Sequence, residues 1–289
     1  MTPDTLLTML DALVLLIIFI FGTAIGSFLN VVAYRSVHGG SLFLDRSKCP
    51  HCKHQLETLD LVPILSFLFL KGRCRYCKEK ISWQYPVVEA TTGILFAITT
   101  YIVMFHNQIV IVDLISTLSL IYLLFVTSVL IAIFITDFRD GLIPDKIILP
   151  SIAIALAFKV LLAVSTSQEV LVVAGSNFLT FSQIGWDILA GLMGGAFFLL
   201  LVVFSKGKAM GGGDIKLAVF MGLVLGLSKL ALALFLAFLT GAIVSLILIF
   251  VGKKRFGQTI AFGPFLVFGA YIALIWGQQI LDWYLRINR

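Results

Sequence analysis

Apolar runs of membrane-spanning length recur along this 289-residue chain, and short loops holding most of its basic residues separate them. A helix needs about 20 apolar residues to cross a hydrocarbon core about 30 Å thick. Hydrophobic residues make up 60% of the chain and charged residues 12%, with a mean hydropathy of +1.07. That leaves too little polar surface for a soluble domain. The chain reads as an all-α polytopic membrane protein with about eight transmembrane helices. They are expected at roughly 9–33, 87–105, 109–136, 148–165, 184–204, 215–228, 230–251 and 262–282. The sixth is short and its ends are weakly marked. The first run has no basic segment before it and no small-residue cleavage site after it, so it reads as a retained helix. The stretch 61–70 (LVPILSFLFL) is apolar but too short to span, and reads as a buried or interfacial piece.

Basic residues orient the bundle. The stretch 34–86 holds nine Lys and Arg, and the loops 137–147, 205–216 and 252–258 bring the total to 17 of 21. With eight alternating helices all four regions fall on one side, expected to be cytosolic, and both termini face outside. The loop 166–183 has no Lys or Arg. The net charge of +6 is then explained by topology and anionic lipid, and nucleic acid is not an expected partner.

Cys49, Cys52, Cys74 and Cys77 are the only cysteines, in two CxxC pairs separated by 21 residues. Zn²⁺ takes four thiolates in a tetrahedron, and two short CxxC turns supply them. Lys48, Lys53, Arg73, Arg75 and Lys78 would offset the charge of such a centre. Two disulfides conflict with a reducing cytosol, and two matched pairs argue against a redox CxxC. A closed four-thiolate site has no open position, so its expected role is to fold a small zinc-knuckle region between helices 1 and 2. His51 and His54 read as solvated loop residues.

Two aspartates stand out on the same side. Asp137 ends an apolar run in ITDFRDGLIPDK, and Asp214 closes a glycine loop in KAMGGGDIK. An ionisable group at membrane depth is a functional candidate. The bland readings are a helix-ending Asp137 and an Asp214 that caps the next helix. Paired carboxyls sharing one proton hydrolyse peptides: one takes a proton from water and the other polarises the carbonyl. The glycines before Asp214 would let backbone approach a substrate strand. Asp140 reads as a turn residue and Asp145 as an N-cap. Asp113 and Asp187 are placed near outer helix ends in reach of water, and Lys159 can snorkel. Glu89, about one turn into a helix, reads as a polar bundle partner or part of a second site.

Seven ordered stretches carry a family resemblance: GSFLNVVAYR (26–35), CPHC (49–52), LKGRCRYC (70–77), ISWQYPVVEA (81–90), TDFRDGLIPDKI (136–147), AMGGGDIKL (209–217) and FGPFLVFGAY (262–271). Over nearly its whole length the chain resembles the bacterial type IV prepilin peptidases, which are leader peptidase/N-methyltransferases of the GxGD aspartyl protease type. The resemblance implies catalytic Asp137 and Asp214, with Gly211 and Gly213 in the GxGD element. It implies cleavage of a basic leader from prepilins or pseudopilins at the cytosolic face of the inner (cytoplasmic) membrane. It also implies N-methylation of the new terminus with S-adenosylmethionine, placed by the family in the N-terminal cytosolic region. Residues 1–86 would then hold the first helix and the four-cysteine methyltransferase part, and 87–289 the peptidase. Gly72 and then Glu89 are the candidate cofactor contacts; a plain turn is the bland reading of Gly72. Further implied partners are the lipid bilayer and the pilus or secretion assembly machinery. The chain departs from the family in reading KGK before AMGGGD, where an acidic residue is common, and in a long 166–183 loop.

A presenilin-like intramembrane protease shares the aspartate pair, but the four-cysteine segment favours the prepilin family. A transporter or metal sensor would place ionisable groups near mid-membrane, whereas the acids here cluster at helix ends.

Overall fold

The computed structural model describes residues 3–41, 46–106, 114–165, 171–173, 176–178, 181–207, 210–252 and 260–287. The chain divides into two compact units, Met1–Gln108 with Leu123–Ala132, and Ile109–Tyr122 with Ile133–Arg289.

In the first unit the long helix α1 (Pro3–His38) packs against α3 (Gln84–Tyr101). Small residues set the approach. A Cβ on Gly26 would lie 2.8 Å from the Glu89 backbone, and one on Gly22 would lie 2.8 Å from Gly93. One turn beyond Gly26, the Asn30 amide donates to the Tyr85 carbonyl at 3.4 Å. The pairing 22 with 93, 26 with 89 and 30 with 85 makes the two helices antiparallel, in the small-residue packing that membrane helices favour. The connection between them carries a single turn at Thr58–Asp60 and the short helix α2 (Leu65–Phe69). Within the expected interfacial stretch Phe67 is buried, while Leu65, Leu68 and Phe69 are exposed.

The second unit takes the ends of α4 (Leu114–Asp140) and all of α5 (Asp145–Ser165), α6 (Phe181–Phe204), α7 (Gly212–Phe250) and α8 (Gly263–Ile287). A hairpin, β1 (Leu171–Val173) with β2 (Ser176–Phe178), pairs Leu171 with Phe178 in the loop before α6. It is the one departure from an all-α fold among the described residues.

At 39 residues α7 would be about 58 Å long if straight, nearly twice the hydrocarbon core. It is not straight. Gly226 has φ 72° and ψ 173°, outside the helical region, and splits it into two arms. The first arm packs on α6, where Gly195 meets Val219 and Gly191 meets Leu223. The second packs on α8, where Gly277 meets Lys229 and Gly241 meets Phe262 and Phe265. Moving from 229 to 241 along α7 therefore means moving back toward the start of α8. Gly226 reverses the chain and makes a helical hairpin. The sequence reading puts this break between 228 and 230, and the glycine moves it upstream. Counting the two arms separately gives the eight expected segments: α1, α3, α4, α5, α6, the two arms of α7, and α8. Among the described residues six helices, with α7 taken whole and α5 left out, are long and apolar enough to cross a membrane by length and composition.

Near the hairpin tip the structure corrects one expectation. Lys159 does not snorkel; it is 2% exposed and forms an ion pair with the half-buried Asp187. Asp187 also lies 3.0 Å from where a Cβ on Gly226 would sit, so it packs on the kink itself. Residues 109–113 of the expected third helix, Asp113 among them, lie outside the described residues, as do Lys208, Lys253, Lys254 and Arg255.

Candidate active site

Helix α4 runs one turn further than the sequence suggests. It continues through Asp137 to Asp140, and Gly141, at φ 63°, donates its N–H to the Asp137 carbonyl at 3.0 Å to close it. Asp137 therefore projects from the last helical turn, and its side chain is not a terminal cap. It is 6% exposed. Asp214 stands at the third position of α7 and is 8% exposed. Its Oδ2 accepts the N–H of Gly211, the extended N-cap residue, at 3.2 Å, which is the half of a capping box that a carboxylate at the third helical position supplies. Asp214 is thus not the N-cap, which is Gly211; it ties down the N-cap N–H from inside the first turn, and this leaves Oδ1 for other contacts. The two carboxyls feel each other's charge across the ends of α4 and α7.

The glycines before Asp214 are not equivalent. A Cβ at Gly213 would stand 2.9 Å from the Ile143 side chain, so this position holds the first arm of α7 against the α4–α5 connection. Gly212 faces open space and Gly211 nearly so. Asp145 is not a cap; it lies in the first turn of α5, and its 58% exposed side chain pairs with Lys216 of α7 at 2.5 Å. Asp140 is within 3.9 Å of Arg139.

One functional neighbour escapes the sequence reading. Asp137 Oδ2 accepts the backbone N–H of Gly263, the first residue of α8, at 2.8 Å. The available signal was the glycine–proline pair of FGPF after a basic loop, a helix-start pattern.

In the first unit the four cysteines converge. Their sulfurs all lie within 4.8 Å of one another, and Cys49 and Cys77 are 3.9 Å apart. Zinc–sulfur bonds of about 2.3 Å in a tetrahedron set sulfur–sulfur distances of about 3.8 Å, so the donor set fits Zn²⁺. The two knuckles share one construction. Cys49 and Cys74 accept the N–H of Lys53 and Lys78 at 3.0 Å each, and those lysines have φ near 60°. Burial works against the Cys49 thiolate, but hydrogen bonds from the Cys52 and His51 backbone and from neighbouring thiols draw its pKa down to about 7. Cys77 has a backbone hydrogen bond from Glu79 that favours its thiolate, yet desolvation and the other thiols push it up to about 11. Four thiols this close, drawn apart in acidity, suit a cation that replaces their protons.

Gly72 sits at φ 67° and donates to the Phe67 carbonyl at 2.8 Å, ending the turn after α2. A Cβ there would meet the Phe67 ring at 3.1 Å. Glu89 is buried and accepts the Ile64 N–H at 2.7 Å. Ile64 has φ 61°, rare for a β-branched residue, so this carboxylate holds a strained turn of the 57–70 segment onto α3.

A family model described as Bacterial Peptidase A24 N-terminal domain matches residues 20–103, and the Type IV leader peptidase family model matches residues 124–246. The chain is 32% identical to the prepilin leader peptidase/N-methyltransferase of Aeromonas hydrophila, covering 93% of both chains. The chain belongs to the type IV leader peptidase family. Within it, the chain is 31% identical to the Bacillus subtilis (strain 168) protein of the same name, covering 94% of this chain and 98% of that one. It is 28% identical to the one from Stutzerimonas stutzeri over the whole of both. No solved structure matches. As a multi-pass member of this family, the chain places both aspartates within the segment that the second family model covers, and Gly263 beyond it.

Proposed function

We propose that this chain is a bifunctional prepilin leader peptidase/N-methyltransferase of the bacterial cytoplasmic membrane, with Asp137 and Asp214 as its peptidase dyad facing the cytosol. The observation that carries the reading is two buried carboxyls at the ends of α4 and α7, each with one oxygen tied to a backbone N–H. In this arrangement Oδ1 of each is the atom left to meet water and a peptide bond. One carboxylate takes a proton from water as its oxygen attacks the scissile carbonyl carbon. The other carboxyl gives its proton to the carbonyl oxygen. Collapse then breaks the C–N bond, and the amine leaves with a proton. The substrate's own apolar helix would lie in the bilayer beside the enzyme and bring the junction to this depth, an orientation effect. Gly211 and Gly212, which face open space, would let an extended substrate strand run close to the α7 start, whereas Gly213 is taken up by its seat on Ile143.

The four-cysteine region would hold Zn²⁺ as a folding staple with no step in either reaction. Methyl transfer belongs to residues 1–86, and S-adenosylmethionine supplies the methyl group for the new N-terminal amine. Gly72 beside Phe67, the Phe67–Trp83 ring contact at 4.8 Å and the buried Glu89 carboxylate give this region the aromatic and anionic chemistry that suits a sulfonium cation. The presenilin-like alternative has no use for this region. Which pilin or pseudopilin is cut, and which assembly machinery docks, belongs to the same proposal.

The test is cleavage of a prepilin, with basic leader and apolar helix intact, in proteoliposomes. Asp137→Asn and Asp214→Asn should each lose cleavage and keep methyl transfer to pilin that is already cut. Gly72→Val should do the reverse. Cleavage by either Asn variant would end the dyad reading.

A further inference from the structure

The geometry points to Gly263 as a positioning residue of the peptidase, with the start of α8 as the part that aims Asp137. The inference rests on the reading of Asp137 as half of the dyad. Two independent features meet here. The Gly263 N–H donates to Asp137 Oδ2 at 2.8 Å, buried from solvent. A Cβ on Gly263 would stand in the same space, 2.8 Å from the Asp137 carboxyl carbon and 3.1 Å from its Cβ, with Oδ2 closer still. No side chain fits at 263 without moving the carboxyl.

The neighbours of Gly263 make its N–H the one aimed at Asp137. Pro264 has no N–H to offer. The Phe265 and Leu266 N–H groups turn back to the Phe262 carbonyl at 3.1 and 3.2 Å. That leaves Gly263 as the free donor of the first turn, at the positive end of the helix dipole. Phe262 is fixed in turn by aromatic packing. Its ring centroid lies 5.0 Å from Phe238 of α7, 6.3 Å from Phe198 of α6 and 6.3 Å from Phe265. The motif FGPF thus reads as one device: Phe262 anchors the chain to α6 and α7, Gly263 holds the carboxyl, and Pro264 removes the competing donor.

The test combines kinetics with a stability cycle on the full chain. Misplacing a reacting group by an ångström costs about 100-fold in rate, so Gly263→Ala should lower kcat for prepilin cleavage by about that factor with KM near wild type. Methyl transfer to pre-cut pilin should be unchanged. Thermal unfolding in detergent should show coupling: Gly263→Ala lowers Tm with Asp137 present and much less in an Asp137→Ala background, where the clashing oxygens are gone. Wild-type kcat in Gly263→Ala would overturn the inference, as would an equal Tm loss in both backgrounds. If Asp137→Asn still cleaves, the dyad reading fails with it, and the Tm cycle still reports whether the 137–263 contact exists.

Discussion

Breaking the Lys159–Asp187 pair tests the account of the second unit most severely. The ammonium is 2% exposed and its partner carboxylate 22% exposed. Lys229, also buried, adds a second positive charge within electrostatic reach of Lys159. Asp187→Asn keeps the shape and removes the compensating charge. Removing one member of a buried pair costs about 3–5 kcal/mol, because the other is left in low dielectric. The partial exposure of Asp187 favours the lower end, about 3 kcal/mol, or a Tm loss of about 6–12 °C on the scale of domains this size. Tryptophan fluorescence during thermal unfolding in detergent reads it. Lys159→Met with Asp187→Leu removes both charges and should recover most of the loss. Cleavage measured well below the melting point should survive in Asp187→Asn, since Gly226 lies 12 residues, or about 18 Å of helix, from Asp214. An unchanged Tm in Asp187→Asn would refute the charge argument. A double variant as unstable as the single would show that packing, not charge, holds the hairpin tip.

Two further outcomes are expected. Gly213→Val should abolish cleavage while methyl transfer persists, because its branched side chain meets Ile143 where the first arm of α7 is seated; cleavage at the wild-type rate would contradict that seating. The four-cysteine region should bind one Zn²⁺ per chain by elemental analysis. Uptake should weaken as pH falls from about 7.5 to 6, since binding needs thiolates and the Cys49 thiol titrates at about 7. Cys74→Ser should lower the bound zinc, and full retention would remove Cys74 from the ligand set.

How far the sequence carries depends on what each residue's signal consists of. The helices were legible because hydropathy is summed over twenty residues, and the cysteine pairs because two CxxC turns leave few geometries open. The aspartates were legible as residues of interest, but not their settings. A helix running on through TDFRD to Gly141, which puts Asp137 one turn inside α4, depends on a C-terminal glycine four residues past Asp137 and on no gradient of polarity. Gly263 was invisible as a partner because its contribution is a backbone N–H and an absent side chain, both set by a contact 126 residues away.

The hairpin in α7 shows the same limit from the other side, and it changes what the buried charges mean. In LVLGLSKLA the sequence places the break between 228 and 230 but does not single out Gly226 as its pivot, since the effect of that glycine lies in a single φ of 72°. Once the chain reverses there, the first arm is only about 21 Å long, short of a 30 Å core, so the tip cannot reach the far surface unaided. The lysine that the sequence offers as a snorkelling residue is instead buried. The structure supplies the alternative chemistry that such depth demands, a carboxylate from α6 against an ammonium from α5, beside the glycine that makes the turn. The polar cluster therefore belongs to the hairpin: the first arm ends at Gly226 about four turns from its start, and the ammonium buried beside that turn is paired with the carboxylate that packs on it.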